Sequence, residues 1–223
     1  MAIPFYRTGL SYTSYQASSV LVGVAYQTAV PGDVLISVIV AQSDPQFATT
    51  PVITTPALQT RIGYTTITLG GNPCKVATYY RVFTGGNEAD TFSFDRTSDV
   101  AWSCTCYGSC SGVNTLSTSS VASGAASTSA VATACTTTFD NSMVIVATGS
   151  GAASSTPPGG MTERFDQYYN SPLLATISDV VQSVAGTTGT KTTTLISSTE
   201  WASTMFVLKP DGPSKAEALL MSS

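Results

Sequence analysis

The apolar residues of this chain recur at the spacing of β-strands, and no stretch before residue 210 sustains the spacing of a helix. The segment 34–40, VLISVIV, is an almost continuous apolar run that follows the turn signal Val-Pro-Gly-Asp at 30–33. Such a run is typical of a central strand covered on both faces. Strict alternation over 91–95 predicts that Phe92 and Phe94 share one face.

Further strands follow from the same pattern, and Gly, Pro, Asn and Asp separate them. The stronger segments are 75–83, 100–110, 142–147 and 203–209, and the weaker ones are 18–26, 58–69, 133–139 and 174–185. Alternation over 100–110 places Trp102, Cys104 and Cys106 on one side. Many short strands indicate an all-β, antiparallel β-sandwich, and we expect a jelly-roll topology. No internal repeat is apparent in the sequence, and the Ser/Thr/Ala/Val-rich segment 111–138 is predicted to form an ordered loop and an edge strand.

The domain organisation expected from these patterns is one β-sandwich over residues 1–210 and a short tail over 211–223. The tail carries SKAE at 214–217, which has the spacing of a helix capping box. A helix this short is not stable alone in water. We therefore expect the tail to dock on its own domain or on a neighbouring subunit through three apolar residues, Leu219, Leu220 and Met221.

The composition argues against catalysis. The chain has no histidine and only 10% charged residues. Histidine is the usual proton-transfer group near neutral pH and the commonest metal ligand, and a serine or cysteine nucleophile usually needs one beside it. We therefore expect no enzyme, no catalytic residues, no cofactor and no metal site. Carboxylate pairs of the kind that glycosidases use are present at Asp95 with Asp99 and at Glu163 with Asp166, where we expect them to solvate turns.

Five cysteines, an odd number, do not fit a closed disulfide framework. Three lie close together in the sequence, and a tetrahedral zinc site would need a fourth ligand from one of the other two. One or two late disulfides are a second possibility, and five reduced thiols packed within strands are a third, which the composition favours. The clustered residues are Cys104, Cys106 and Cys110, and the separate ones are Cys74 and Cys135.

Charge and hydropathy predict what the chain does not bind. The formal net charge is −4, and the Lys and Arg residues are scattered, so we expect no nucleic-acid binding. No apolar run approaches the roughly 20 residues that a membrane helix needs, so we expect no membrane partner. The first residues lack the basic and apolar regions of a signal peptide, which predicts synthesis in a cytoplasm without export. A surface with so few charges favours association, so we expect a homo-oligomer.

Six segments stand out when they are taken in order, and together they span about residues 30–210. They are VPGDVLISVIV (30–40), YYRVFTGGNEADTFSF (79–94), SGVNT (111–115), NSMVIVATG (141–149), PPGGMTERF (157–165) and EWASTMFVLKP (200–210). As an ordered set they resemble a family of β-sandwich proteins encoded in the genomes of tailed bacteriophages and in prophages. The family members are virion structural proteins, namely tail or fibre modules and capsid-surface decoration, and no catalytic residues transfer from them to this chain.

The resemblance implies a virion protein on the surface of the particle, and among the family roles we expect capsid decoration. A decoration, or cement, protein binds the assembled shell, so its partners would be the major capsid protein or other virion proteins. A trimer is favoured, because a heterologous contact closes into a ring. The residues expected to contact other subunits or the shell are Tyr6, Tyr12, Tyr15, Leu219, Leu220 and Met221. The alternative is a tail or fibre adhesin that binds a host glycan through a loop containing Tyr168, Tyr169 and Asn170.

Overall fold

The computed structural model describes residues 2–22, 28–85, 90–110, 119–169 and 173–211, and these residues form fourteen antiparallel strands. The first six strands are β1 Phe5–Val22, β2 Val34–Ser43, β3 Ile53–Thr54, β4 Thr60–Leu69, β5 Asn72–Val82 and β6 Asp90–Gly108. The others are β7 Ser119–Ala132, β8 Thr136–Thr137, β9 Ser142–Ser150, β10 Ser155–Thr156, β11 Thr162–Tyr169, β12 Leu173–Gln182, β13 Gly186–Thr187 and β14 Lys191–Leu208. The predicted antiparallel β-sandwich is confirmed.

The chain completes one sheet before it begins the other. Sheet 1 has the strand order β1-β6-β2-β5-β4, and β3 pairs with β6. Sheet 2 has the strand order β10-β14-β9-β12-β11, and β7 also pairs with β14. The short strands β8 and β13 form a separate ribbon. The jelly-roll topology is not confirmed, because a jelly roll passes the chain back and forth between its two sheets.

The two sheets repeat one topology, although the sequence shows no repeat. In each half of the chain the first long strand pairs with the last, the last pairs with the second, and the fourth and then the third long strand follow. Both halves enter their second long strand through a residue in the left-handed region, Gly32 with φ of 99° and Asn141 with φ of 59°. Gly and Asn are the residues that adopt this conformation most readily.

The repeat extends to the irregularities of the β ladders. The β4–β5 ladder has a bulge between Arg61 and Gly63, and the β11–β12 ladder has one between Glu163 and Phe165 at the matching position. The β1–β6 and β7–β14 ladders also skip residues at the same two places. The matching pairs around these places are Ser14–Val100 with Gly124–Trp201, Ala17–Ser98 with Ser127–Thr199, and Ser19–Ser93 with Ser129–Thr194. Since bulges bend strands and fix register, this agreement identifies the two halves as copies of one structural unit.

The inner faces of the two sheets pack against each other. Their shared core takes side chains from β2, β5 and β6 of sheet 1 and from β9, β12 and β14 of sheet 2. Strand β2 is buried along its whole length, as its continuous apolar run predicts. The edges of the two sheets approach closely at Gly9, where a Cβ atom would lie 2.7 Å from Phe165 Cζ, and at Gly63, where it would meet Val121.

Each sheet also buries part of its outer face, which its own long strands cover. Strands β1 and β6 bend at their bulges and fold back over sheet 1, so that Phe92 and Phe94 pack with Trp102, Cys104 and Cys106. The predictions that these two groups each share a face are confirmed. Trp102 and Trp201 are both buried in strands, as expected. Sheet 2 has two matching outer clusters, one around Met205 and one around Trp201.

Most of the predicted strands are present, with different bounds. The segment 119–132 forms the edge strand expected within 111–138, whereas residues 111–118 lie outside the described residues. The weak prediction over 133–139 yields only the two residues of β8, and 23–26 of the weak prediction over 18–26 lie outside the described part. Strand β11 and residues 5–17 of β1 were not predicted from the sequence.

Candidate functional site

One buried polar network joins the two sheets. Arg164 on β11 binds Asp179 on β12 through two bonds, Nε to Oδ2 at 2.7 Å and Nη2 to Oδ1 at 2.9 Å. Tyr107 on β6 donates its hydroxyl to Asp179 Oδ2 at 2.9 Å from the facing sheet. Burial and the nearby carboxylate raise the pKa of Tyr107 well above its ordinary value. The carboxylate thus accepts three bonds, and the network fixes sheet 1 on sheet 2 rather than holding a reactive group.

A second network lies at the start of β2. Arg7 Nε is 2.7 Å from Asp33 Oδ2, and Arg7 Nη2 donates to Oδ1 at 3.2 Å. The same carboxylate accepts the backbone N–H of Val30 at 2.9 Å and the thiol of Cys106 at 3.3 Å. Asp33 therefore closes the turn before β2 and ties it to β1 and β6. Both oxygens of its carboxylate are engaged in contacts that stabilise the fold.

A third charged pair is buried under the outer face of sheet 1. Arg81 Nη1 is 3.1 Å from Asp90 Oδ1, and both side chains are almost fully buried. Gln59 donates its side-chain amide to Asp90 Oδ2 at 2.8 Å. Buried charges persist where they are paired and hydrogen-bonded, and this pair holds the start of β6 against β5.

All five cysteines are free and buried. Cys104 and Cys106 face the outer cluster of sheet 1, whereas Cys110 and Cys74 belong to the core between the sheets. The clustered thiols therefore lie on two sides of one strand, and no group of three potential metal ligands is found among the described residues. Burial raises the pKa values of Cys74, Cys106 and Cys110 above the ordinary thiol value, which suppresses the reactive thiolate.

The predicted contact tyrosines lie along β1. The Tyr6 ring packs edge-on against Tyr107 at 6.1 Å between centroids, and the Arg164 guanidinium lies 4.5 Å from its centroid. Tyr6 therefore serves the inter-sheet network within its own chain. Tyr12 pairs with Trp102 through its backbone, and Tyr15 is exposed. The docking residues of the tail, Leu219, Leu220 and Met221, lie outside the described residues.

The predicted glycan loop is partly wrong, because Tyr168 and Tyr169 are the last residues of β11 and not a loop. Strand β11 departs from simple alternation at its bulge, so the pattern did not reveal it. The Tyr168 side chain is exposed, and Asn170 lies outside the described residues. The carboxylates Glu163 and Asp166 lie in the same strand, on its outer side, and not at a turn.

Exposed apolar side chains gather at the end of the sandwich where β2 and β9 begin. There the backbone of Ala2 pairs with Asp211, and Cys110 pairs with Pro210, so the start of the domain meets the point where the tail departs. We call this area the terminal surface. Its large exposed apolar residues are Ile3, Phe5, Val30, Phe139 and Val184.

Three further observations place residues of the terminal surface at this end of the sandwich. Phe5 pairs with Gly108 at the end of β6. Asn141 donates its backbone N–H to Ser183, which joins the turn before β9 to the turn after β12. The Lys209 ammonium lies 4.7 Å from the Phe139 ring centroid. Large exposed apolar side chains at one end of a domain make that end a candidate protein contact site.

The chain matches no protein-family model, no curated protein and no solved structure. Its site is therefore defined by geometry alone. Among the described residues no helix is long and apolar enough to cross a membrane.

The charged pairs Arg7–Asp33, Arg81–Asp90 and Arg164–Asp179 were not predicted from the sequence. The two residues of each pair come from different elements of the fold, and Tyr107 and Asp179 come from different sheets. The only signal in the sequence is that a charged residue interrupts an otherwise apolar strand, as Arg81 and Asp179 do. Such a residue needs a partner, but its spacing does not say which one.

Proposed function

We propose that the protein is a structural component of a bacteriophage virion, displayed on the particle surface, where it binds and stabilises the assembled shell as a decoration or cement protein. The six ordered segments that resemble virion β-sandwich proteins support the virion location. The terminal surface carries the assignment to shell contact, because it combines exposed apolar side chains with the point from which the tail departs.

The contacts of the buried aspartates and cysteines support a structural role. Asp33, Asp90 and Asp179 each bind an arginine, and the five thiols are buried. These groups stabilise the turns and hold the sheets together. A sandwich whose charged groups form internal contacts is suited to a structural role in a particle. Binding to the assembled shell then stabilises that state by mass action.

The first test is mass spectrometry of purified virions, in which we expect this chain at a stoichiometric copy number. The second is an add-back assay with particles that lack the protein. The full chain should bind and raise the temperature at which the shell opens, and a chain without residues 212–223 should bind much more weakly. Absence of the chain from virions, or equal binding of the truncated chain, would refute the proposal.

A matched pair of variants tests the terminal surface itself. Val184 on this surface and Ile196 in β14 are both 69% exposed, and Ile196 donates its backbone N–H to Ser154 at the opposite end of the sheets. Val184→Ser should weaken shell attachment severalfold, whereas Ile196→Ser should leave it unchanged. Because the contact is apolar, attachment should also persist when the salt concentration rises.

A second candidate function is glycan binding by a tail or fibre adhesin. The observation that favours it is the exposed Tyr168 side chain at the end of β11, because an exposed aromatic ring gives a sugar a stacking surface. Binding to a glycan array that Tyr168→Ala abolishes, without loss of folding, would support it. An adhesin should also keep its glycan affinity when residues 212–223 are removed.

A further inference from the structure

Arg61 on β4 and Lys75 on the neighbouring strand β5 flank an exposed tyrosine of β4. The Tyr64 ring is 49% exposed, with the Arg61 guanidinium 4.2 Å and the Lys75 ammonium 4.5 Å from its centroid. Burial and the charge of Arg61 lower the pKa of Lys75, so the two cations repel each other. Neither has an oppositely charged partner among the described residues. We call Arg61, Tyr64 and Lys75 the cationic edge.

Strand β11 carries the opposite charge. Burial and the nearby Asp166 raise the pKa of Glu163, and burial raises that of Asp166. Asp166 accepts the backbone N–H of Ser155 at 2.9 Å, and its other oxygen is buried without a hydrogen-bond donor. Neither carboxylate has a cationic partner within the described part of the chain. With Tyr168, which is 37% exposed, they form the acidic edge.

The two edges occupy equivalent places in the structural repeat. Arg61 and Glu163 are the residues immediately before the matching bulges, and Tyr64 matches Asp166 in register. Strands β4 and β11 each have one sheet neighbour in the described structure, β5 and β12 respectively, so each is an edge strand. Edge strands are the positions at which chains join sheet to sheet.

The two edges cannot meet within one chain. Across the sandwich β4 packs on β7 and β14, whereas β11 packs on β1 and β6, so the edges lie on opposite sides of the molecule. Each edge therefore lacks the charge that the other presents. A second copy of the same chain supplies it.

We propose that the cationic edge of one copy docks against the acidic edge of the next, so that the protein assembles head to tail. Arg61 then meets the exposed Glu163, and each edge gains a counter-charge across the contact. Leu58 beside the cationic edge and Tyr168 on the acidic edge add apolar area. A contact between two different surfaces closes into a ring, such as a trimer, when its rotation permits. The inference deepens the proposed function, because it names the partner that the particle-bound protein meets beside it.

Charge exchange tests the contact. Arg61→Glu places like charges against each other and should weaken self-association at least about tenfold, measured by analytical ultracentrifugation across concentration. Glu163→Arg should do the same. The double variant Arg61→Glu/Glu163→Arg should recover the association of the parent chain, and an equimolar mixture of the two single variants should form mixed assemblies. Lys191→Glu, which changes the net charge equally away from both edges, should associate like the parent.

Zero-length cross-linking gives an independent readout that does not require a variant to fold. A carbodiimide should join Lys75 to Glu163, and in a mixture of ¹⁴N- and ¹⁵N-labelled chains the linked peptides should combine both labels. A parent chain that stays monomeric, a single variant that associates normally, a double variant that does not recover, or a link found only within one chain overturns the inference.

The outcomes separate the inference from the proposed function. A chain that binds shells yet shows no edge contact refutes only the head-to-tail assembly. A chain that assembles through its edges yet never enters virions refutes only the virion role. The salt response separates them too, because the edge contact should weaken as ionic strength rises.

Discussion

At the residue scale, the carboxylate of Asp179 accepts three hydrogen bonds, two from Arg164 and one from Tyr107. Asp179→Ala leaves the Arg164 guanidinium without its counter-charge and the Tyr107 hydroxyl without its acceptor. Arg164 is partly exposed, so water relieves part of the penalty. We expect the free energy of unfolding to fall by about 2–3 kcal/mol, measured by urea denaturation at neutral pH.

The structural repeat supplies the control for this prediction. The positions that match Asp179 and Arg164 are occupied in sheet 1 by Tyr80 and Ile62, which pack in the shared core. Replacing a buried ion pair with packed apolar residues is often neutral. Asp179→Tyr/Arg164→Ile should therefore be more stable than Asp179→Ala, and a double variant of equal or lower stability would contradict the equivalence of the two halves.

The ionisation of Asp166 opposes folding at neutral pH. Burial raises its pKa in the folded state, so the folded chain favours the protonated form. The sign follows from linkage: such a group stabilises the fold below its unfolded pKa, and that contribution is lost as the pH rises through the folded pKa. Asp166→Asn should therefore raise the free energy of unfolding at pH 7. The gain should vanish below the ordinary pKa of 3.8, where Asp166 is protonated in both states.

The measurement for Asp166→Asn is chemical denaturation between pH 3 and pH 8 at concentrations at which the chain is monomeric. Those conditions separate the folding effect from any edge contact. Asp44, which accepts the backbone N–H of Gln46 in an exposed turn, gives the comparison variant Asp44→Asn. A stability gain for Asp166→Asn that does not depend on pH would show that packing, and not charge, is responsible.

At the scale of elements, bent strands cover part of the outer face of each sheet, and they pack on it through different side chains. Phe92 on β6 is fully buried, with its ring 4.9 Å from that of Tyr79, and its counterpart on β14 is Thr193, which bonds Thr148. Phe92→Ala should cost about 3–5 kcal/mol, because it leaves a large cavity. Thr193→Ala should cost about 1 kcal/mol, the net value of one hydrogen bond. Thermal denaturation of the two variants measures the difference, and equal losses would mean that the sheet 1 cover does not pack as described.

This difference in side chains explains what the sequence could and could not predict. The central strands were predictable, because β2 keeps a long apolar run and Phe92 and Phe94 alternate strictly. The bulge in β11 interrupts its alternation, and hydroxyl residues dominate β1, so both strands lacked a clear period. The repeat was invisible in the sequence because matching positions share geometry and not residue type.

The candidate surfaces were less predictable than the strands. The exposed Tyr168 lies in a strand and not in the predicted loop, and its neighbours Glu163 and Asp166 follow from the pairing of β11 with β12. The terminal surface joins residues from both ends of the domain, such as Phe5 and Val184. Only the folded chain brings such positions together, since single-sequence patterns carry no information about contacts between distant strands.

At the scale of the whole molecule, two copies of one unit share a single core. Residues 5–108 contain sheet 1 and residues 119–208 contain sheet 2, and each half exposes its inner face if the other is removed. A sheet with one uncovered apolar face is not stable in water. The halves should therefore unfold together in one transition, even though each sheet is formed by a continuous piece of chain.

Division of the chain between residues 114 and 115 tests this mutual dependence. We expect each fragment produced alone to lack cooperative unfolding, and we expect coexpressed fragments to combine into a complex with the circular dichroism and a single thermal transition of the parent. The complex should melt at a lower temperature than the parent chain, and its melting temperature should rise with the fragment concentration. The reason is that the peptide chain no longer joins the two halves of the core. Phe206→Ser, which places a polar group in the shared core, should prevent recombination, whereas the exposed Ile196→Ser should permit it. A first fragment that folds stably alone would show that the outer cluster of Leu35, Tyr79 and Phe92 suffices for one sheet, and that the second sheet is an addition rather than the other half of the core.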